Sequence, residues 1–126
     1  LKEIKKLCKE LGIDYYSPKD ECLVGQNEGI TKQNDVFKEN INAITNAKFI
    51  VANTRDKDLG TIFECGVAFV LKKPILYFCN GLKGNFNLML AQSGNCVATN
   101  LEELKEYLMK MKNDNNFRVA YGGRIE

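Results

Sequence analysis

Two short apolar runs constrain the fold of this chain more than any other feature. Phe49–Ala52 and Pro74–Cys79 are continuously apolar, as in strands that are buried on both faces of a parallel sheet. Proline can begin the second run because no ladder donor is needed at the first position of a strand. A helical segment from about Ile62 to Lys72 separates the runs, as the crossover between parallel strands requires. The pattern predicts an α/β domain whose ligands bind beyond the carboxyl ends of the strands.

The rest of the chain continues this alternation of strands and helices. Apolar residues at helical spacing predict helices at 1–11, ending at Gly12, at 31–46 and at 101–111. Short elements are predicted at Ile13–Ser17 (strand), Phe86–Ala91 (helix) and Cys96–Ala98 (strand). Residues 19–30 have no clear period and are expected to form a loop or lid. Because such a domain normally opens with a strand, we expect a first strand upstream of Leu1.

Composition limits the classes of function. With 126 residues, 44% hydrophobic and 27% charged, the chain can form one domain, residues 1–126, with a real core. The net charge is only +2 and the basic residues are scattered, which argues against a nucleic-acid partner or a membrane surface. No apolar run approaches the ~20 residues of a membrane span. We expect a soluble, cytoplasmic protein.

Cysteine and histidine usage narrows the chemistry. The five cysteines form no C-x-x-C pair, so neither a disulfide framework nor a thiolate metal site is indicated, and most should be small buried residues. There is no histidine, which excludes Ser-His and Cys-His nucleophile systems. We expect no metal and no organic cofactor, and acid–base work would fall to carboxylates, Tyr, Lys or Cys.

Two carboxylates mark the loop after the first apolar run. Asp58 and Glu64 flank Gly60-Thr61, which can turn the chain and cap a helix, so Asp58 is expected on the loop and Glu64 in the first helical turn. One interpretation of Glu64 is structural, because Thr61 to Glu64 matches a capping box. The other is a nucleophile, kept ionised by the helix N-terminus. Both carboxylates would face one crevice.

Asp58 and Asn40 also have structural interpretations. Asp58 would then be a solvated loop acid in a charged segment. Asn40 falls on the same helical stripe as Phe37, Ile41 and Ile44, so it is predicted to face inward. A buried amide of that kind is usually satisfied by neighbouring backbone.

Several motifs in this order resemble the nucleoside 2-deoxyribosyltransferase family over about residues 31–110. They are Asn40-Ile41-Asn42-Ala43-Ile44, Asp58-Leu59-Gly60-Thr61-Ile62-Phe63-Glu64-Cys65-Gly66-Val67-Ala68, Lys73-Pro74 and Asn85-Phe86-Asn87-Leu88-Met89-Leu90. The resemblance implies a doubly wound, flavodoxin-like, mostly parallel sheet of about five strands with helices on both faces. The first of those strands would lie outside this sequence.

The resemblance also implies a mechanism. Glu64 would attack C1′ of a 2′-deoxynucleoside, and a second base would resolve the covalent deoxyribosyl-Glu64 intermediate with net retention. Asp58 would exchange a proton with the base. Asn40 would help hold the nucleophile and the sugar, and Gly60 would belong to the substrate-binding motif.

The resemblance implies a site that is shared between subunits. Asn87 and Met89 match residues that family members lend to a neighbouring active site. The expected partners are 2′-deoxynucleosides, free nucleobases and further copies of the chain, in a dimer or an assembly of dimers.

Two alternative functions remain. The first is hydrolysis of a nucleoside or nucleoside 5′-monophosphate on the same fold, with water resolving the intermediate. Related monophosphate glycosidases typically carry serine where this chain has Asn87, which favours unphosphorylated nucleosides. The second is a non-catalytic nucleotide-binding module, against which the intact Asp58 and Glu64 argue.

Overall fold

A computed structural model describes residues 2–16 and 29–126 of the chain. The elements within these residues are helices α1 (Lys2–Glu10), α2 (Gly29–Asn46), α3 (Leu59–Val70), α4 (Leu88–Ser93) and α5 (Leu101–Asn113), and strands β1 (Ile50–Asn53), β2 (Ile75–Phe78) and β3 (Cys96–Ala98).

The three strands form a parallel sheet in the order β1-β2-β3. Ile50 pairs with Ile75, and Leu76 pairs with Cys96. Each crossover passes through a helix, and helices cover both faces of the sheet. The prediction of a doubly wound, flavodoxin-like α/β fold is confirmed.

Strand β2 contributes side chains to both halves of the core. Leu76 and Phe78 point to the side of α1 and α5, whereas Ile75 and Tyr77 point to the side of α2 and α3. All four are at most 2% exposed, because successive side chains of a strand alternate between two faces that are both covered. The continuous apolar run in the sequence has this cause.

Helix α1 ends in a Schellman motif. Gly12 has φ +68°, its N–H donates to the carbonyl of Lys9 (3.2 Å), and the Ile13 N–H donates to the carbonyl of Cys8 (2.8 Å). The prediction of a strand from Ile13 is wrong over residues 13–16, which have no regular structure. No strand of the described residues pairs with them.

Part of the sequence-based prediction lies outside the described residues. The expected loop at 19–30 is described only at its last two residues, which already belong to α2. Cys22 also lies outside. Among the other cysteines, all free, Cys8, Cys65 and Cys96 are buried and Cys79 is partly buried, as predicted.

The C-terminal tail is tied to the segment before α4. The Phe86 N–H donates to the Arg124 carbonyl and the Glu126 N–H donates to the Phe86 carbonyl, both at 2.9 Å. Tyr121 packs edge-on against the Phe86 ring, with centroids 5.7 Å apart. These two hydrogen bonds form an isolated parallel β-bridge between Phe86 and Ile125. The short helix predicted from Phe86 therefore begins at Leu88.

None of the helices within the described residues is long and apolar enough to cross a membrane.

Candidate active site

Helix α3 starts three residues before the position that the capping-box interpretation requires. Its N-cap is Asp58, whose carboxylate accepts bonds from the Gly60 N–H (3.3 Å) and the Thr61 hydroxyl (3.0 Å). The capping box from Thr61 to Glu64 is therefore wrong, and the capping role belongs to Asp58. The expected loop position of Asp58 is confirmed, but this acid is fixed by two hydrogen bonds. Gly60 lies beside it and supplies one of them.

The turn between β1 and α3 sets the direction of Asp58. Thr54 is buried and donates its N–H to the Phe78 carbonyl (2.9 Å), which anchors the turn to the end of β2. Lys57 then adopts φ +54°, a left-handed conformation that few non-glycine residues take. The chain thus reverses immediately before Asp58, at the carboxyl edge of the sheet.

Glu64 lies in the second turn of α3, not the first. Its side chain is half-buried. Burial raises the pKa of the Glu64 carboxyl above its usual value, and the negative charge of Asp58 raises it further. The expectation that the helix N-terminus would favour ionised Glu64 is therefore wrong in direction. The same electrostatic effect of Asp58 shows that the two acids lie close enough to interact.

Asn40 is half-buried on α2. Its Oδ1 accepts a hydrogen bond from the Tyr16 hydroxyl (3.4 Å), which also donates to Glu39 (3.2 Å). Helix α2 packs against α3, where the Phe37 and Phe63 rings lie 6.3 Å apart. Phe37 itself is exposed, so only part of the stripe predicted to face inward does so.

Asn87 and Met89 lie on the exposed surface of α4. Asn87 is the N-cap of the helix, and its Oδ1 accepts from the Leu90 N–H (3.1 Å). Met89 is 72% exposed, which is unusual for a large apolar side chain. Neither residue lines either of the two clefts described below.

Sequence reasoning missed a hydrogen-bonded chain that connects α3 and α4 through β2. It runs from the Cys65 thiol to the Tyr77 hydroxyl, then to the Ser93 hydroxyl (2.7 Å) and on to the Leu90 carbonyl (3.0 Å). Burial raises the pKa of Cys65 to about 11 and that of Tyr77 to about 12. Both groups stay neutral, so they position the helices and do not exchange protons. The only sign of this chain in the sequence is the Tyr77 hydroxyl, a polar group within the apolar run Pro74–Cys79.

Two clefts open at the carboxyl edge of the sheet. One, of about 260 Å³, is lined by Glu3, Asn53, Arg55, Asp56, Phe78 and Asn80. The other, of about 310 Å³, lies between the residues after β3 and the tail at 119–123. Asp58 and Glu64 line neither, but the first cleft includes the turn that leads directly to Asp58. Within the described ranges, no group of three or more Cys, Asp or Glu side chains is placed to hold a metal.

The geometry provides a pair of interacting carboxylates with different surroundings. Asp58 is exposed and held by hydrogen bonds, whereas Glu64 is half-buried and has a raised pKa. Carboxylates whose environments differ in this way are suited to separate roles in acid–base and nucleophilic chemistry.

Two comparisons with known proteins find matches to this chain. The sequence model of the family described as nucleoside 2-deoxyribosyltransferase matches residues 1–114. A solved structure of a 2-deoxyribosyltransferase from the psychrotolerant bacterium Bacillus psychrosaccharolyticus superposes with a TM-score of 0.70 at 21% identity, covering 84% of this chain and 79% of the other. A search of curated proteins finds no significant match. The chain belongs to the nucleoside 2-deoxyribosyltransferase family.

Proposed function

We propose that the protein transfers the 2-deoxyribosyl group between the bases of 2′-deoxynucleosides. The observation that carries this proposal is the pair formed by Asp58, the N-cap of α3, and Glu64 within that helix. The pair lies in the range that matches the family model and combines a fixed, exposed acid with a half-buried one. The acceptor and leaving groups are free nucleobases.

The reaction proceeds in two balanced displacements. The Glu64 carboxylate attacks C1′, the bond from C1′ to the base nitrogen breaks, and the Asp58 carboxyl gives its proton to the departing base. An incoming base then attacks C1′, returns a proton to Asp58 and releases Glu64. Two inversions at C1′ give net retention.

The mechanism requires a particular distribution of protons between the two carboxylates. The first step needs one proton on the pair, with Asp58 protonated and Glu64 ionised. Nearby carboxylates disfavour double ionisation, and the raised pKa of Glu64 is partly due to the Asp58 charge. An ionised Glu64 with a raised pKa is also a more basic nucleophile.

The remaining site residues support substrate binding at the same place. Asn40 lies on the helix that packs against α3, and Gly60 is one turn before Glu64. We assign both to the sugar-binding side of the site. Asn87 and Met89 stand exposed on α4, so we assign them to the site of a second copy in a homo-oligomer.

The test is a base-exchange assay with the full-length protein. The protein is incubated with a 2′-deoxynucleoside, with and without a second free base, and products are separated by chromatography. A new deoxynucleoside means transfer, free base without an acceptor means hydrolysis, and no change means binding only. The last two results would contradict the proposal.

Variants make this assay specific to the site. Glu64→Ala should abolish exchange because no carboxylate remains to attack C1′. Glu102→Gln is a matched control, since Glu102 is an exposed glutamate near the start of another helix, and it should leave exchange unchanged. Full activity of the Glu64 variant would overturn the mechanism.

A further inference from the structure

The cleft beside the C-terminal tail, called here the tail cleft, lies apart from the candidate active site. It has a volume of about 310 Å³ and is formed by the end of β3, one side of α5 and residues 119–123. In the strand order β1-β2-β3, the turn that leads to Asp58 follows β1, so β2 separates the two places. Residues 119–123 also lie beyond residues 1–114, which match the family model. The proposed reaction therefore does not account for the tail cleft.

One carboxylate sets the charge of the tail cleft. Among the residues that line it, all within the described part of the chain, only Glu103 is charged. Its Oε1 accepts a hydrogen bond from the Thr99 N–H (2.9 Å) and another from the Thr99 hydroxyl (3.0 Å), which fixes the carboxylate at the start of α5. Its second oxygen, Oε2, has no hydrogen-bond donor and no cationic partner among the described residues.

Two basic side chains around the tail cleft are engaged elsewhere. The Lys110 ammonium pairs with Glu106 (3.5 Å) and lies over the Phe117 ring, 5.3 Å from its centroid. The Arg118 guanidinium donates to a backbone carbonyl (3.2 Å). Neither side chain neutralises Glu103, so a cationic ligand would supply the missing partner through a charge-assisted hydrogen bond.

Two tyrosines add a hydroxyl and a ring to the walls. Tyr107 is half-buried, and its hydroxyl makes no hydrogen bond with any described residue. Burial raises the pKa of the Tyr107 hydroxyl and the Glu103 charge raises it further, so this hydroxyl is neutral and lies near the carboxylate. The Tyr121 ring folds over Gly123, where an added Cβ would overlap it. Hydroxyl oxygens accept from an ammonium group, and aromatic faces attract cations.

The tail contributes free backbone groups. The Val119 N–H donates to the Asn95 carbonyl (2.9 Å), but no N–H or C=O group of residues 120–123 is bonded to another described residue. Free carbonyls suit the several N–H donors of an ammonium group. Because the same segment also offers N–H donors, the negative charge of Glu103 decides the sign of the ligand.

We propose that the tail cleft binds a small organic ammonium ion. The ammonium group donates to Oε2 of Glu103 and to the Tyr107 hydroxyl oxygen, and the apolar body of the ligand lies against Val97 and the Tyr121 ring. The volume of about 310 Å³ lies at the lower end of small-molecule sites, which span about 300–1,000 Å³. The proposal goes beyond the transfer reaction and does not depend on it.

Nuclear magnetic resonance with a defined probe tests the site. The full-length, isotope-labelled protein is titrated with n-butylammonium chloride, and the amide signals of Gly122 and Gly123 are followed. We expect saturable shifts of both signals, with a dissociation constant of about 1–10 mM for a ligand of this size. The uncharged n-butanol has the same carbon chain and should shift both signals far less at equal concentration.

Variants at two adjacent glutamates separate this site from the general acidity of α5. Glu103→Gln keeps one oxygen for the Thr99 bonds and replaces the free oxygen with an amide donor, so it should weaken butylammonium binding about tenfold or more. Glu102→Gln is the matched control, because Glu102 is exposed in the same helical turn but does not line the cleft; it should bind like wild type. Tyr107→Phe should weaken binding about threefold. Thermal unfolding of each variant checks that the fold is retained.

Any of three results would overturn the proposal. They are the absence of a saturable shift with butylammonium, equal binding of n-butanol, and a Glu103→Gln variant that binds like wild type. An equal loss of binding in Glu102→Gln and Glu103→Gln would show attraction to the acidic helix without a specific site, and would contradict the proposal as well. Base exchange has its own assay and its own variants, so failure of this site is distinguishable from failure of the transfer reaction.

Discussion

Asp58 has two roles that a pair of substitutions can separate. As the N-cap of α3 it accepts bonds from the Gly60 N–H (3.3 Å) and the Thr61 hydroxyl (3.0 Å). Asparagine can keep both, since its Oδ1 accepts from Gly60 and its amide nitrogen can donate to the Thr61 oxygen. Alanine loses both. Asp58→Asn therefore removes the acid and its charge while preserving the cap, whereas Asp58→Ala removes the acid and the cap together.

The stability difference follows from the cap. Replacing a capping side chain with alanine costs about 1 kcal/mol, whereas asparagine and aspartate cap about equally well. For a chain of this size 1 kcal/mol corresponds to a fall of about 4 °C in Tm. Differential scanning fluorimetry should show this fall for Asp58→Ala and almost no change for Asp58→Asn. Thr99→Ser, a conservative change on another loop, serves as a handling control.

The activity of the two variants should instead be equally low. Loss of a general acid typically costs 10²- to 10⁴-fold in rate, and neither side chain can supply the proton. A 2-deoxyriboside whose leaving group needs no proton should restore the first step for Asp58→Asn. The reasoning is refuted if Asp58→Asn lowers Tm as much as Asp58→Ala, or if it retains full exchange with natural substrates.

Three further predictions concern stability. Because burial and the Asp58 charge raise the pKa of Glu64, its contribution to stability is complete below its unfolded pKa and is lost as pH rises through the folded pKa. Glu64→Gln should therefore raise the free energy of unfolding at pH 7.5, on the order of 0.5 kcal/mol for a half-exposed group. This gain, measured by urea unfolding, should vanish near pH 4. Tyr77→Phe and Ser93→Ala should each cost about 1 kcal/mol in urea unfolding, and the double variant should cost clearly less than their sum, because both remove the same 2.7 Å bond; full additivity would contradict this. Gly94→Ala should cost about 1–3 kcal/mol, since its Cβ would lie 2.5 Å from the buried Tyr77 ring. Gly66→Ala should instead stabilise α3 by about 1 kcal/mol, because its Cβ would meet no atom within 4 Å.

The buried strands and helices were predictable because burial requires apolar residues, either in a continuous run or at a regular spacing. The apolar run at β2 and the strand Cys96–Ala98 are found where expected. The start of α3 was misplaced by three residues, since Asp58 and Thr61 are both good capping residues and local sequence does not decide between them. The strand predicted at Ile13–Ser17 is absent over residues 13–16, because a short apolar stretch becomes a strand only where another strand pairs with it.

The sequence motif singles out two carboxylates but not their electrostatics. The motif located Asp58 and Glu64, but the pKa of Glu64 depends on how deeply tertiary packing buries the carboxyl, which the helix N-terminus alone does not determine. The hydrogen-bonded chain through Tyr77 joins residues far apart in sequence.

Trapping the covalent intermediate tests the central claim most directly. The full-length protein is mixed with a 2′-deoxynucleoside without acceptor base, quenched in acid and digested, and the peptide that contains Glu64 is analysed by mass spectrometry. We predict a deoxyribosyl adduct on Glu64 that disappears when a free base is added before the quench and is absent from Glu64→Gln. An active enzyme that carries the adduct on another residue, or forms none while exchanging bases, would contradict the account.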